Sequence, residues 1–247
     1  MKLVLADASY LRDSIGIISE LVTEAKIKIS KEGLELAAMD PANVAMIIFK
    51  LLSSTFIEHD IQEDQHIAVN LANLKQVLKR ANPSDILSLE VTEGKLNIQL
   101  KGQTIRKFST PLLEIDEKEQ KIPNLSFNAK TTLPSTTLTE AIEDAGVVGE
   151  SVTFSIEPET FSISSEGDLS KVHVEIKQGE ETKIETNSKA NLKSKYSIEY
   201  LKKMVQGGKL ADNATVSFNQ DYPLKLDYTV TDKLLLSFIL APRVDND

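Results

Sequence analysis

Residues 86–100 read ILSLEVTEGKLNIQL, two runs of alternating apolar and polar residues on either side of Thr92-Glu93-Gly94. A period of two is typical of a strand with one buried face, and a short glycine-containing link between two such runs is typical of a β-hairpin. The segment therefore predicts two antiparallel strands that lie with one face against a core.

The same pattern recurs elsewhere in the chain. Residues 26–30 alternate and lead through a Lys-Glu-Gly turn into residues 34–36, and residues 152–156 are followed by a matching run at 160–164. Strands in hairpin order with one apolar face need helices to cover that face. The predicted fold class is α+β.

Four amphipathic segments predict those helices. Two lie near residues 8–25 and at 70–81. A third begins at the capping-box pattern Thr137-x-x-Glu140, and a fourth follows Ser197 as N-cap. Each half of the chain therefore has the order helix, strands, helix, strands.

The two halves also align with each other at an offset of about 127 residues. Leu11 aligns with Leu138, and residues 74–78 align with 201–205, while the offset drifts by only a residue or two along the chain. Such internal similarity predicts two copies of one structural unit. The predicted division is a domain at 1–110, a connector at 111–126 and a domain at 127–247.

The connector differs from its flanks. Residues 114–121 are rich in charge, lack strand alternation and lie between Pro111 and Pro123. Proline at both ends favours an extended segment that crosses the surface. A solvated linker without a function of its own is the alternative.

Composition excludes several classes of protein. The 247 residues are 41% hydrophobic and carry a net charge of −9, so any contact with a polyanion needs a local basic surface. There is no cysteine, which excludes disulfides, thiolate metal sites and cysteine nucleophiles. No apolar run approaches a membrane span, and Met1–Asp7 is too short and too soon acidic for a signal peptide, so we expect a soluble intracellular protein.

Basic side chains gather on equivalent helices of the two halves. The second predicted helix has no acid between residues 73 and 81, and the fourth has only Glu199, whereas the third is acidic. This placement favours contact with phosphate, while ordinary solvated helix faces remain the alternative. The candidates are Lys75, Lys79, Arg80, Lys202, Lys203, Lys209 and, more weakly, Arg12.

One segment carries a family resemblance. Residues 36–46, LAAMDPANVAM, are similar to the Ala-Met-Asp-Pro-x-x-Val segment of the proliferating cell nuclear antigen family, the sliding clamps of archaea and eukaryotes. Residues 240–244, LAPRV, resemble the Leu-Ala-Pro-(Lys/Arg) ending of that family, and residues 69–71, 78–80 and 221–224 fit as well. The likeness spans residues 1 to about 244 and is archaeal in type.

The resemblance implies a trimer of two-domain subunits, closed head to tail into a pseudo-sixfold ring around duplex DNA. Helices would line the hole, with the basic candidates facing DNA, and sheets would form the outer wall. Such a clamp tethers DNA polymerase as a processivity factor and has no catalytic residue, cofactor or metal. It would act in the cytoplasm at the nucleoid of an archaeon, or in the nucleus of a eukaryote.

The resemblance also implies how subunits would join. An edge strand at Thr104–Ser109 would pair with one at Lys171–Gln178 of a neighbour, which hides two strand edges. Many family members have basic residues on the third helix, where this chain is acidic, so those acids could serve either the joint or the channel. The residues assigned to the interface are Arg80, Arg106, Lys107, Glu140, Glu143, Asp144, Lys171 and His173.

A pocket for partner peptides is implied beneath the connector. DNA polymerase, DNA ligase, flap endonuclease and the clamp loader would insert apolar and aromatic anchors there. Gln120 and Ile239 stand where some relatives have leucine and tyrosine, and core packing is the alternative role for Val44 and Ile239. The pocket residues are Met39, Val44, Met46, Ile122, Pro123, Phe127, Tyr222, Pro223, Ile239, Ala241 and Pro242.

Two other classes of function remain as alternatives. One is a subunit of a mixed trimer or of a checkpoint-type clamp. The other is a hydrolase with an unrecognised carboxylate site, although His59, His66 and His173 are too scattered for a ligand set. Glu157-Pro158-Glu159 has the pattern of a solvated turn, and Gly207-Gly208-Lys209 lacks the remaining residues of a phosphate loop and predicts a helix C-cap.

Overall fold

The structure is a computed structural model that describes residues 1–115, 120–187 and 191–243. Residues 116–119 of the predicted connector and Val244 of the C-terminal motif lie outside the described residues. The chain divides into two compact units. The first unit comprises Met1–Pro41, Ile47–Ile122 and Val230–Leu236, and the second comprises Ala42–Met46, Pro123–Thr229 and Ser237–Asp247.

Four α-helices, two short 3-10 helices and eighteen strands make up the regular structure of the described residues. The helices are α1 Ser9–Ile18, α2 Leu71–Leu78, α3 Ser135–Val148 and α4 Ile198–Met204. The first nine strands are β1 Lys2–Leu5, β2 Glu24–Ser30, β3 Gly33–Met39, β4 Ala45–Leu52, β5 Glu58–Asp60, β6 Gln65–Asn70, β7 Ile86–Thr92, β8 Lys95–Lys101 and β9 Ile105–Pro111. The last nine are β10 Ala129–Pro134, β11 Ser151–Glu157, β12 Thr160–Glu166, β13 Lys171–Lys177, β14 Lys183–Thr186, β15 Leu192–Ser197, β16 Asn213–Phe218, β17 Leu224–Val230 and β18 Leu234–Leu240.

The strand order repeats between the two halves of the chain. The first nine strands are ordered β5-β1-β7-β8-β9 and β4-β3-β2-β6, and the last nine are ordered β14-β10-β16-β17-β18 and β13-β12-β11-β15. Adding nine to each strand number converts the first pair of orders into the second. The predicted α+β fold and internal repeat are confirmed, while the domain limits at 110 and 127 stay a prediction.

The hairpin at residues 86–100 forms as its sequence predicts. β7 and β8 pair antiparallel, with Leu89 opposite Ile98, and both side chains are buried. The two turn residues, Glu93 and Gly94, have φ of 50° and 71°. Positive φ at both positions is the conformation of a two-residue turn whose twist matches that of the flanking strands.

The first helix is shorter than predicted. α1 ends at Ile18 rather than near residue 25, because the N–H groups of Glu20 and Leu21 bond to carbonyl oxygens only three residues back and tighten the chain into a turn. Leu21 has the sequence spacing of a helical residue, but its buried side chain belongs to this turn and not to α1. The alternating pattern that follows sets the start of β2 at Glu24 instead.

The predicted caps of the third and fourth helices are also corrected. α3 begins at Ser135, so Thr137 lies inside the helix and is not its N-cap. The Ser135 N–H and Oγ donate to the carbonyl oxygens of Asp212 and Ala211, each at 2.7 Å, which fixes this end of the helix by tertiary contacts. Ser197 does precede α4, but its side chain makes no capping hydrogen bond.

The Gly-Gly-Lys segment after α4 continues as a 3-10 turn over Val205–Lys209, so the predicted glycine C-cap is wrong. A methyl group at Gly207 would lie 2.3 Å from a ring carbon of Tyr228, and that ring is fully buried. The glycine is therefore required by the close approach of an aromatic ring rather than by backbone conformation.

Gly207→Ala is expected to lower the free energy of unfolding by about 1–3 kcal/mol, because the buried ring has no room to move away. Gly16→Ala is the matched control, since nothing lies within 4 Å of the added methyl in α1. That control should stabilise the chain by about 0.5–1 kcal/mol. Equilibrium urea unfolding measures both, and equal effects at the two positions would contradict the steric explanation.

Candidate functional site

In the first unit, the basic candidates lie at the C-terminal end of α2. Leu71, Leu74 and Leu78 are buried, and the Asn70 side chain caps the helix by accepting a 2.9 Å hydrogen bond from the N–H of Asn73. The exposed cations stand at the last turn, where positive charge also favours the helix dipole. These exposed residues are Lys79 and Arg80.

The other two candidates of the first unit are already paired within the chain. Lys75 is half-buried and forms an ion pair with Glu20. The Arg12 guanidinium lies 2.8 Å from the carboxylate of Asp13. Both are therefore weaker phosphate ligands than the exposed pair at the end of α2.

In the second unit, α4 and the turn after it carry three lysines. Lys202 is exposed, and its ammonium end lies over Gly146 of α3, where an added methyl would come within 2.3 Å of it. Lys203 pairs with Glu199 at 3.0 Å and lies 5.6 Å from the centre of the Tyr200 ring. Lys209 is exposed. Among the described residues, Lys79, Arg80, Lys202 and Lys209 have no ion pair.

The exposed face of α3 is acidic and ends on an apolar residue. Glu140, Glu143 and Asp144 are exposed, and Val147, one turn beyond Glu143, is 85% exposed. Together they form a stripe that the packing of the second unit leaves uncovered.

Two of the six strands at the sheet edges of the described residues have exposed apolar residues on or next to them and are equivalent to strands that are paired elsewhere in the chain. β9 is the last strand of the order β5-β1-β7-β8-β9, and β13 is the first of β13-β12-β11-β15. Ile105 at the start of β9 is 60% exposed, and Leu169 just before β13 is fully exposed. Exposed apolar side chains beside an open strand edge are typical of a protein–protein interface.

No sequence pattern singled out Ile105, Val147 or Leu169, although Ile105 lies within the edge strand predicted at Thr104–Ser109. A signal was present for the first of these. Ile105, Lys107 and Ser109 are alternate, exposed residues of β9, so an isoleucine occupies the polar side of the strand pattern. Its exposure in a single chain indicates a face that another surface covers.

The Arg106 side chain is bound by residues of its own chain. Its guanidinium donates to the carbonyl oxygen of Arg80 at 2.7 Å and forms an ion pair with Asp85, whose side chain is 3% exposed. The Asp85 carboxylate also accepts a 2.7 Å hydrogen bond from the N–H of Asn82. This network fixes the chain after α2 to β9. Of the three basic residues of the first unit that were assigned to the interface, only Arg80 and Lys107 therefore have side chains free of an ion pair.

Residues of the implied partner pocket fall in both units. Met39 and Ile122 belong to the first unit, and the others belong to the second. In the second unit, the Phe127 and Tyr222 rings meet edge to face at 6.0 Å, and the Ala241 N–H donates to the Val44 carbonyl oxygen at 2.9 Å.

The exposure of the second-unit pocket residues divides them into two groups. Met46 and Ile239 are buried and serve as core. The others present at least part of their side chains at the surface: Val44, Pro123, Phe127, Tyr222, Pro223, Ala241 and Pro242.

The end of the predicted connector is fixed to the second unit. The side chain of Asn219 accepts from the N–H of Asn128 at 2.6 Å and donates to the carbonyl oxygen of Ser126 at 2.8 Å. The backbone on both sides of Phe127 is therefore fixed by hydrogen bonds to Asn219.

The structure brings together no metal site from the described residues, and none of their helices is long and apolar enough to cross a membrane. The three histidines lie on different strands, β5, β6 and β13. Pro158 and Glu159 form the turn between β11 and β12, and Glu159 has a φ of 65°. This agrees with the interpretation of Glu157-Pro158-Glu159 as a turn.

Comparison with known proteins identifies the family. Residues 1–120 match the family model of the proliferating cell nuclear antigen N-terminal domain, and residues 121–243 match that of the C-terminal domain. The chain is 34% identical over 249 residues to the DNA polymerase sliding clamp of Nanoarchaeum equitans, covering 99% of this chain and 100% of that protein. It is 35% identical over 245 residues to the corresponding clamp of Thermococcus gammatolerans, covering 99% and 98%.

A solved structure agrees with this result. The crystal structure of proliferating cell nuclear antigen from Thermococcus kodakaraensis matches with a TM-score of 0.92 and 28% identity, covering 98% of this chain and 99% of that one. Membership of one family explains the two halves, their shared strand order and the sequence motifs. The chain belongs to the proliferating cell nuclear antigen family.

Proposed function

We propose that the chain is a sliding clamp: three copies close head to tail into a ring that encircles duplex DNA and tethers DNA polymerase to it. The ring holds DNA because the duplex is threaded through it, and no residue acts as a catalyst. The relatives from Nanoarchaeum equitans and Thermococcus gammatolerans are each named a DNA polymerase sliding clamp, which supports this role.

The observation that carries the proposal is the pairing of β4 with β18. In the first unit, the Leu52 N–H donates to the Lys233 carbonyl oxygen at 2.8 Å. In the second unit, the Ala241 N–H donates to the Val44 carbonyl oxygen at 2.9 Å. In each unit, therefore, a residue in or next to β4 is hydrogen-bonded to a residue next to β18.

By the internal repeat, β4 corresponds to β13 and β18 corresponds to β9. The edge strands β9 and β13 are therefore the equivalents of β18 and β4, which are neighbours in one sheet. If β9 of one copy pairs with β13 of the next, the contact between chains is equivalent to the contact between β18 and β4 within each chain. The two surfaces differ, so each copy offers one of each, and such head-to-tail contacts close into a ring when the rotation permits.

Charge supports the same joint. Arg80 and Lys107 lie beside the open edge of the first unit, and the acidic stripe of α3 lies beside that of the second, so the neighbour's Glu140, Glu143 and Asp144 have cations to pair with. The apolar residues next to both edges, Ile105 and Leu169, supply the surface that excludes water from those pairs. The assignment of Lys171 and His173 to the joint follows from their place on β13.

The free cations suit sliding rather than fixed binding. Lys79, Arg80, Lys202 and Lys209 belong to a chain of net charge −9, so attraction to phosphate is confined to a few flexible side chains. Lysine ammonium groups contact phosphate with little directional demand, and the ring therefore has no preferred register on the duplex.

Partner peptides are expected at the half-buried apolar residues of the second unit around Phe127 and Tyr222. Partly exposed aromatic and proline side chains on a backbone that hydrogen bonds hold in place are suited to receive apolar anchors. DNA polymerase, the clamp loader, flap endonuclease and DNA ligase are the partners proposed for this surface. A variant in which both rings are replaced by alanine tests it by loss of polymerase stimulation from an intact ring.

The experiment that tests encirclement uses circular DNA. The clamp is loaded onto a nicked plasmid by an archaeal clamp loader and ATP, isolated by gel filtration, and the plasmid is then cut once by a restriction enzyme. The clamp should stay with the circle and leave after the cut. Equal retention on cut and uncut plasmid would overturn the proposal.

The assembly itself is measured by light scattering of the purified chain. A homotrimer has about three times the chain mass of 27.3 kDa. A monomer that joins a ring only when related chains are added would favour the mixed-trimer alternative instead.

The double variant Lys79→Gln/Lys202→Gln is expected to bind duplex with a weaker salt dependence, because each lost phosphate contact lowers the log–log slope by about 0.9. Lys95→Gln/Lys101→Gln removes the same charge from exposed positions on β8 and is the matched control. Salt titrations of equilibrium binding to a short linear duplex, followed by fluorescence anisotropy, measure both. If the two variants change the slope equally, these helices do not face DNA.

A further inference from the structure

The sheet that ends in β9 has a second edge strand, β5, at its opposite end. Two exposed apolar side chains precede β5. Leu52 is 37% exposed and Ile57 is 63% exposed, on either side of the 3-10 turn Ser53–Thr55. Within the described residues β5 pairs only with β1, so one side of its backbone is open. Exposed apolar residues beside an open strand edge are typical of a surface that another chain covers.

The backbone of this edge is held in place. Phe56 and Ile61 lie before and after the strand, are 9% and 8% exposed, and anchor the segment in the core. The Ile57 N–H donates to the Val4 carbonyl oxygen at 2.8 Å, and β5 pairs with β1 along its whole length. A ligand that covers the Ile57 side chain therefore does not first have to order the chain that carries it.

The charge beside this edge is negative. Residues 57–64 contain four carboxylates and no lysine or arginine. Glu58 and Asp64 form ion pairs with lysines, at 2.8 Å and 3.6 Å. Asp60 and Glu63 are exposed and form no ion pair with any described residue, so two carboxylates are available to the cations of a ligand.

These charges decide which kind of chain fits the edge. Four carboxylates repel the phosphates of nucleic acid. A second copy does not fit either, because antiparallel pairing of two β5 strands about His59 would place Glu58 opposite Asp60, and like charges directly opposite each other are destabilising. A basic extended segment has neither difficulty, since its backbone completes the strand edge and its cations complement the free carboxylates.

We propose that the edge of β5 binds a basic extended segment of a partner protein. The segment adds a strand beside β5, covers Ile57 with an apolar side chain and pairs its lysine or arginine side chains with Asp60 and Glu63. Such binding requires neither DNA nor a ring and therefore goes beyond the proposed clamp function. Because β5 and β9 lie at opposite edges of one sheet, pairing of β9 with a neighbour leaves this edge open.

The second unit provides a comparison within the same chain. β14 is the equivalent of β5 in the internal repeat and also lies at the edge of its sheet. Glu180 and Glu181 are exposed just before β14, but residues 178–187, all of them described, include no exposed large apolar side chain. We therefore expect the edge of β14 to bind a basic segment more weakly than the edge of β5.

The test uses a fluorescein-labelled peptide of about eight residues in which lysine alternates with valine. Fluorescence anisotropy with the purified full chain should show binding about tenfold tighter than that of the same peptide with glutamate for lysine. Methylation of alternate backbone nitrogens keeps the charge but removes the N–H donors of one strand edge. It should weaken binding about tenfold.

Two variants test the residues of the edge. Asp60→Lys/Glu63→Lys should weaken the basic peptide about tenfold through loss of the charge pairs, and Ile57→Ser should weaken it about fivefold through loss of the apolar contact. Glu180→Lys/Glu181→Lys is the matched control, because it makes the same charge change beside β14. It should change the binding by less than about twofold.

Hydrogen exchange on the unaltered chain gives a second measurement that needs no variant. The basic peptide should slow exchange in β5 and leave β14 unchanged. Equal binding of the basic and acidic peptides, equal binding of the methylated and unmethylated peptides, equal loss in the two charge-reversal variants, or equal protection of the two strands would each overturn the proposal.

Discussion

Ile105→Glu is expected to convert the assembled ring into folded monomers. The isoleucine is 60% exposed in a single chain, so its replacement costs the isolated fold little. At the proposed joint of β9 with a neighbour's β13 the glutamate would replace the apolar side chain that excludes water from the joint. A central interface residue contributes about 2 kcal/mol or more, which is a loss of about 30-fold or more in affinity at each joint.

Ile57→Glu is the control for this variant. Ile57 is 63% exposed and precedes β5, which lies at the opposite edge of the same sheet from β9. Light scattering of both variants at several concentrations should give monomers only for the change at position 105. Retention of the trimer by Ile105→Glu, or its loss in both variants, would contradict the placement of the joint.

Phe154→Ala is expected to lower the free energy of unfolding by about 3–5 kcal/mol. Phe154 is buried at the centre of an aromatic cluster in the second unit, with its ring centre 5.4 Å from those of Phe161 and Tyr196 and 6.1 Å from that of Phe218. Its removal leaves a cavity between rings that rigid strands hold apart, and Tm should fall by on the order of 10 °C.

Phe154→Leu is the matched control, because it retains most of the volume and should cost less than about 1.5 kcal/mol. Urea unfolding at one fixed chain concentration keeps any contribution of assembly constant across the series. A cost for alanine no larger than that for leucine would show that the cluster relaxes to fill the cavity.

Much of the fold could be predicted from local patterns. The hairpin at 86–100 depends on strand alternation and on a glycine that accepts positive φ, and both properties belong to neighbours in sequence. The internal repeat was visible because Leu11 and Leu138, and the helices that follow, occupy equivalent buried positions. The family resemblance depended on short motifs in the correct order.

Helix ends were predicted less well, because they depend on contacts that are distant in sequence. α3 starts at Ser135 since its N–H and hydroxyl bond to the segment at 211–212. The glycine at 207 is explained by the Tyr228 ring rather than by a C-cap. Neither partner could be inferred from the pattern around these residues.

For the candidate site too, sequence patterns located the residues, and tertiary contacts decided which of them are free to bind. The sequence located the basic residues of α2 and α4, but equal weight fell on Lys75, which is paired with Glu20, and on Lys79, which is not. Arg106 was assigned to a neighbour, whereas its guanidinium binds the buried Asp85 of its own chain. Pairing depends on which charges the fold brings within a few ångströms.

The amino-acid sequence by itself determined the α+β class, the two copies of one unit and the family, because periodicity, turn residues and motifs are properties of adjacent positions. Tertiary structure alone decided which strands lie at the edges of the sheets and which cations are free of an ion pair. Those properties arise from the order of strands in a sheet and from side chains far apart in the chain, and no local pattern contains them.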